Sequence, residues 1–138
     1  MRIISGSARG RRLKELQGMD TRPTTDKVKE SMFSILQFDI EGRRVLDLFG
    51  GTGQLGIEAL SRGASEVVFV DKSAAALKLI RENLELCGLS DRARVRNGDS
   101  LAYLRSGEKF DLVFLDPPYD TGLLEQALQD IAGFDICR

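Results

Sequence analysis

Val45-Leu46-Asp47-Leu48-Phe49-Gly50-Gly51-Thr52-Gly53-Gln54-Leu55-Gly56 is an apolar run that breaks into glycines and then resumes. The run predicts a strand over Val45–Phe49. Leu55 to Arg62 reads as a short helix, closed by Gly63. Gly51, Gly53 and Gly56 spell G-x-G-x-x-G at the junction. Glycines there permit a tight turn and let backbone approach a bound nucleotide. A glycine-rich strand-to-helix junction is the mark of an α/β domain.

Towards the C-terminus the alternation continues. Val67–Val70 is a second predicted strand, ending in Asp71. Leu77, Ile80, Leu84 and Cys87 form one helical stripe that stops at Gly88. Ala93–Arg96 alternates like an edge strand with charge on one face. Phe110–Leu115 reads as a strand buried on both sides, and Leu123–Ile131 as a further helix. Towards the N-terminus, Thr25 is placed to cap a helix with Asp26 in its first turn. Val28, Met32, Ile35 and Leu36 would be that helix's apolar stripe. Residues 1–24 read as a basic arm, with a hairpin turning near Ala8-Arg9-Gly10, and residues 25–138 as one domain. Strand-helix alternation predicts a parallel sheet with right-handed crossovers and helices on both faces.

Composition narrows the chemistry. The 138 residues include no histidine and no tryptophan. Nucleophilic mechanisms that need an imidazole base, and imidazole metal sites, are therefore excluded. Two cysteines, Cys87 and Cys137, cannot build a Cys₄ zinc site, and unpaired thiols in this number fit a reducing cytosol. No apolar run approaches the ~18 residues of a membrane span. A cytoplasmic domain with neither metal nor membrane partner is expected. The net charge of −1 conceals an imbalance. Arg2, Arg9, Arg11, Arg12 and Lys14 crowd the first 14 residues without an acid. Such an arm is either a solvated tail or a contact for a polyanion.

The unusual residues fall at predicted strand ends, where an α/β sheet binds its ligand. Asp71, 18 residues beyond Gly53, sits where a carboxylate can hold ribose hydroxyls. That pairing suits a dinucleotide or an adenosyl group equally. Asp47, inside the strand before the loop, favours the ammonium of S-adenosylmethionine over a pyrophosphate. Asp116-Pro117-Pro118-Tyr119 is the more specific feature. Two prolines straight after a strand halt its ladder and free a carbonyl. A carboxylate, a free carbonyl and an aromatic ring together suit the exocyclic amine of a flat base. A bare strand terminator is the plainer alternative.

Asp47 to Ala64 resembles the first motif of the RsmD family, the bacterial 16S ribosomal RNA guanine-N2 methyltransferases. Thr21 to Glu30, the opening Arg2-Ile3-Ile4-Ser5-Gly6 with Arg9-Gly10-Arg11, and Asp116 to Tyr119 match the family in the same order. Gly50 and Thr52 stand where Ala and Ser are commoner. The resemblance implies a Rossmann-like class I methyltransferase using S-adenosylmethionine. Gly50, Gly51 and Gly53 would line the methionine and ribose, with Asp47 near the amino group and Asp71 on the ribose. Asp99 and Ser100 would flank the adenine, while Arg22 and Thr24 close over the cofactor. Asp116, the Pro117 carbonyl and Tyr119 would hold the guanine, and Arg9, Arg11 and Arg12 the RNA. The implied partner is 16S rRNA in the assembling 30S subunit, with the full-length enzyme a monomer. Amino-methyl transfer to DNA adenine or protein glutamine, a nucleotide-dependent dehydrogenase, and a non-catalytic RNA-binding fragment are the rival readings. The class I sheet runs 3-2-1-4-5-7-6. The chain is therefore expected to lack its C-terminal strands, leaving the Phe110–Leu115 strand with an edge that invites self-association.

Overall fold

The computed structural model describes residues 2–14, 26–48, 53–99, 102–103 and 109–115. Within them the chain runs through helix α1 (Asp26–Leu36), strand β1 (Arg44–Leu48), helix α2 (Gln54–Ser61) and strand β2 (Glu66–Asp71). Helix α3 (Ala74–Cys87), a 3-10 turn (Ser90–Arg92), β3 (Ala93–Asn97) and β4 (Leu112–Leu115) follow. Every pairing is parallel, and the order is β3-β2-β1-β4. The chain grows outward from β1 to β3 and then returns to β1's other side. The strand order therefore switches between β1 and β4.

The direction of growth decides which face each connection covers. The steps β1 to β2 and β2 to β3 run the same way, so right-handed crossovers put α2 and α3 on one face. The return to β4 belongs on the other. The core divides accordingly. Val45, Val67, Phe69 and Phe114 pack with Phe33 of α1, Leu55, Ile57 and Leu60 of α2, and Ile80 and Leu84 of α3. On the opposite face Leu46, Leu48, Val68 and Val70 meet Phe110 and Tyr103. Tyr103 belongs to the helical turn on the way back to β4. Strand residues alternate between the two clusters with the period of the pleat. The fold is α/β and Rossmann-like, in the order of the first four class I strands.

Ends are set by local chemistry. Ser73 caps α3 by accepting from the Ala76 N–H at 3.2 Å, and Gly88 closes it in the left-handed region at φ 69°. Arg92 donates to the carbonyls of Ala64 (2.6 Å) and Leu60 (3.0 Å), beyond and at the end of α2. β3 lies at the sheet edge with Arg94 and Arg96 exposed, as its alternation predicted. In β4, however, Leu112 and Val113 are half-buried rather than enclosed. The predicted cap Thr25 and the predicted helix Leu123–Ile131 lie outside the described residues.

Helix α1 departs from its predicted stripe. Ile35 is 80% exposed, whereas Phe33 and Lys29 are fully buried. Phe33 lies against Phe114 with ring centroids 5.6 Å apart, and Lys29 Nζ reaches Glu58 at 3.2 Å. These two anchors, one turn apart, set the helix's rotation. Met32 and Leu36 still pack against the core.

The basic N-terminus is a packed hairpin. Ile3 N–H donates to the Arg11 carbonyl at 2.9 Å, Gly10 N–H to the Ile3 carbonyl at 2.9 Å, and Arg2 bridges Arg12 antiparallel. Gly6, at φ 90°, has no alternative, since a Cβ there would run into the Ser61 carbonyl. Ile3, Ala8 and Leu13 are buried in the helical core.

Candidate functional site

The strand register brings the singled-out segments to one end of the sheet. Leu48 lies opposite Val70 on one side and Leu115 on the other, and Asp71 lies opposite Asn97. The chain leading to the glycines, to Asp71, to Asp99 and to Asp116 therefore leaves the sheet at a common edge. Asp47, Gly53, Asp71 and Asp99 are described. Arg22, Thr24, Gly50, Gly51, Ser100, Asp116, Pro117 and Tyr119 lie outside the described residues.

Asp47 points to the helical face and is almost wholly buried. Its Oδ2 accepts from the Gly56 N–H at 3.0 Å. That N–H belongs to the first turn of α2, where the helix offers no partner of its own and a negative charge is favoured. The carboxylate thus ties β1 to the first turn of α2. Gly53 stands before α2 at φ 80°, and an added Cβ would sit 3.2 Å from side-chain atoms of Ile57 and Ile80. At Gly56 a Cβ would overlap the Phe69 ring and lie 2.9 Å from Asp47 Oδ2. The third glycine of the motif lets helix lie directly on strand, the role expected of it.

Asp71 is half-buried at the end of β2. Its Oδ1 accepts from the Ser73 N–H at 2.9 Å, and its carbonyl from the Gly98 N–H at 3.1 Å. The turn into α3 therefore holds this carboxylate at the sheet's edge. Asp99 is exposed beside it and pairs with Lys72 at 3.5 Å, a surface contact of little energetic weight. Gln54, which the sequence reading passed over, opens α2 at 7% exposure, and its buried Oε1 has no hydrogen-bond partner. An orphaned acceptor of this kind costs about 1–3 kcal/mol. Three carboxylates and one unsatisfied amide oxygen make this end an acceptor set. It fits a ligand bearing an ammonium and ribose hydroxyls, and would repel a pyrophosphate. Among the described residues no group of three or more His, Cys, Asp or Glu could hold a metal.

At the hairpin, Arg9, Arg11 and Arg12 are exposed, with no ion pair among the described residues. Arg44, Arg62 and Arg94, by contrast, are each paired with a glutamate. A cavity of about 280 Å³ lined by Arg2, Ile3, Ile4, Arg9, Gly10 and Glu30 opens beside them. Burial pushes the Cys87 thiol up, with Arg11 and Lys29 opposing. A thiol held protonated in this way is no nucleophile.

Polar side chains on the helices clip the hairpin down, and the sequence reading missed them. Glu58 accepts from the N–H groups of Ile4 (2.8 Å) and Ser5 (3.1 Å). Ser61 Oγ accepts from Ala8 N–H at 2.9 Å and donates to the Ser5 carbonyl at 2.6 Å. Asn83 accepts from Lys14 N–H at 2.7 Å and donates to its carbonyl at 3.1 Å, as a neighbouring strand would. The available signal was a glutamate and a serine in Gln54–Ser61, a helix otherwise short of polar residues.

Comparison with known proteins identifies the family and the fold. The family model described as Conserved hypothetical protein 95 matches residues 1–136. YlbH of Bacillus subtilis strain 168 is 46% identical over 132 residues, covering 93% of this chain and 72% of the relative. The ribosomal RNA small subunit methyltransferase D of Haemophilus influenzae is 42% identical over 132 residues, covering 93% of this chain and 68% of its own length. The solved structure of yhhF from Escherichia coli superimposes with a TM-score of 0.87 at 36% identity, over 99% of this chain and 74% of that one. The chain belongs to the Conserved hypothetical protein 95 family, which is the family of the small-subunit ribosomal RNA methyltransferase D.

Proposed function

We propose that this cytoplasmic protein transfers a methyl group from S-adenosylmethionine to the exocyclic N2 of a guanine in 16S rRNA of the small ribosomal subunit. One observation carries the reading. Leu115, which directly precedes Asp116-Pro117-Pro118-Tyr119, lies opposite Leu48, which precedes the glycine loop, across the switch in strand order. The segment suited to a base amine and the segment suited to an adenosyl cofactor thus start from neighbouring strands at one edge. The acceptor set of Asp47, Asp71 and Gln54 supports the cofactor assignment.

When bound, S-adenosylmethionine supplies a sulfonium methyl already activated for in-line displacement. The chain's part is to position and orient. Asp71 would hold the ribose hydroxyls, Asp47 the loop and the cofactor's amino end, and Asp99 with Ser100 the adenine. Gly50, Gly51 and Gly53 would let backbone approach, with Arg22 and Thr24 closing over it. Asp116 and the Pro117 carbonyl would accept from the guanine amine, aiming its lone pair at the methyl while Tyr119 stacks on the ring. Positioning of this kind supplies up to about 7–11 kcal/mol of a barrier. Arg9, Arg11 and Arg12 would contact RNA phosphates, with residues 1–24 acting as the RNA-facing part of the molecule.

Transfer of labelled methyl to 30S particles, naked 16S rRNA and duplex DNA tests the proposal. N2-methylguanine in small-subunit RNA is the expected product. Methylation of DNA adenine instead, or of no nucleic acid, overturns it.

A further inference from the structure

We propose that the buried Lys29–Glu58 pair is a positioning device for the RNA substrate, holding the basic hairpin at a fixed place relative to the cofactor loop. The proposal rests on the reading of the hairpin as the RNA-contacting element. Glu58 is fully buried and joins three elements. It accepts from Ile4 and Ser5 of the hairpin and pairs with Lys29 of α1 at 3.2 Å and with Arg62 of its own helix at 2.9 Å. Lys29 Nζ in turn donates to the Arg2 carbonyl at 2.8 Å. Backbone groups of Arg2 and Ile4, both lining the hairpin cavity, are thereby held by the two ends of one ion pair.

Stability alone does not account for such a pair, because well-packed apolar residues commonly serve a core as well or better. What charge adds here is direction. Both Glu58 oxygens are taken by hairpin N–H groups, so the hairpin cannot slide or rotate on α2 without losing them. Glu58 lies five residues beyond Gly53, about 7–8 Å along the helix axis at the usual rise. The basic surface and Gly53, the last residue of the glycine loop, are thus joined to one short helix. In an RNA of defined shape, a held phosphate and a target base are a set distance apart. A hairpin free to drift would present the base out of reach of the methyl.

Two variants of the full chain test this. Lys29→Met with Glu58→Gln removes both charges of the pair and leaves Arg62, at the pair's outer side, with a neutral amide in place of its carboxylate. Ser61→Ala keeps the pair but releases Ala8 N–H and the Ser5 carbonyl. For both, S-adenosylmethionine affinity by calorimetry is expected to match the parent, while hydrogen exchange accelerates at Ile4 and Ser5 in the first and at Ala8 in the second. Equilibrium affinity for 16S rRNA is expected to fall and KM for RNA to rise about tenfold with kcat little changed, the split that marks lost binding geometry. Unaltered RNA affinity despite faster exchange would overturn the proposal, as would a parallel loss of cofactor affinity, kcat and melting temperature. If the double variant does not fold, Ser61→Ala tests whether a loosened hairpin costs RNA affinity: a fall supports the proposal and no change overturns it. Alanine at Arg9, Arg11 and Arg12 separates the two readings. An unchanged salt dependence there removes the hairpin's RNA role. A flattened one, with wild-type affinity in the clip variants, removes only the positioning role.

Discussion

Asp71 and Gly56 show how single residues shape the cofactor end. Asp71 is half-buried, held by Ser73 N–H, and stands at the lip of the sheet. Asp71→Ala is expected to weaken S-adenosylmethionine binding by ~1.5–3 kcal/mol through lost charge-assisted hydrogen bonds. Calorimetry checks it, and unchanged affinity would remove the ribose assignment. Gly56→Ala places a methyl against Phe69 and Asp47, and overpacking of that sort costs about 1–3 kcal/mol in a urea melt. Asp116→Ala is expected to abolish transfer in the labelled-methyl assay with cofactor affinity nearly intact, since its partner is the substrate amine. The placement of Asp47, Gly53, Asp71 and Asp99 at this edge was legible from the chain because their spacing from the strands is local. Gln54 was not, since a glutamine opening a helix looks solvated until its oxygen is found buried and unpartnered.

Elements were legible in proportion to how far their neighbours decide them. α2 and α3 lie where periodicity and the closing glycines put them, because Leu77, Ile80 and Leu84 face a sheet that their own flanking strands build. α1 kept its position and kept Met32 and Leu36 on the core side, but exposed Ile35 and buried Lys29 and Phe33 instead. Its rotation answers to Glu58 and Phe114, both far along the chain, and no window of local sequence contains them. The hairpin itself was legible from its turn near Ala8-Arg9-Gly10, but its docking was not, since its clips are polar groups on helices 53 to 69 residues away. Substituting Arg9, Arg11 and Arg12 with alanine is expected to lower RNA affinity and flatten its salt dependence by roughly 0.7–0.9 in slope per lost phosphate contact. Filter binding across a salt series measures this, with cofactor affinity as the unaffected control.

For the whole molecule, the Lys29–Glu58 pair makes stability hinge on two residues outside the sheet. Lys29→Met alone would leave Glu58 buried without its closest cation from another element, a loss of about 3–5 kcal/mol. Denaturant melts are expected to show that loss, and adding Glu58→Gln to recover part of it. A single variant as stable as the parent would mean that Arg62 alone suffices for the carboxylate.

The clipped hairpin also bears on how the protein is made. Ile4 and Ser5 are synthesised well before the group that holds them, which arrives 54 and 53 residues later, and Asn83 meets Lys14 after 69. At translation rates of about 5–20 residues per second, the N-terminus waits roughly 3 to 14 s for its partners. A nascent chain of this protein therefore carries its basic hairpin unclipped until α2 has been made.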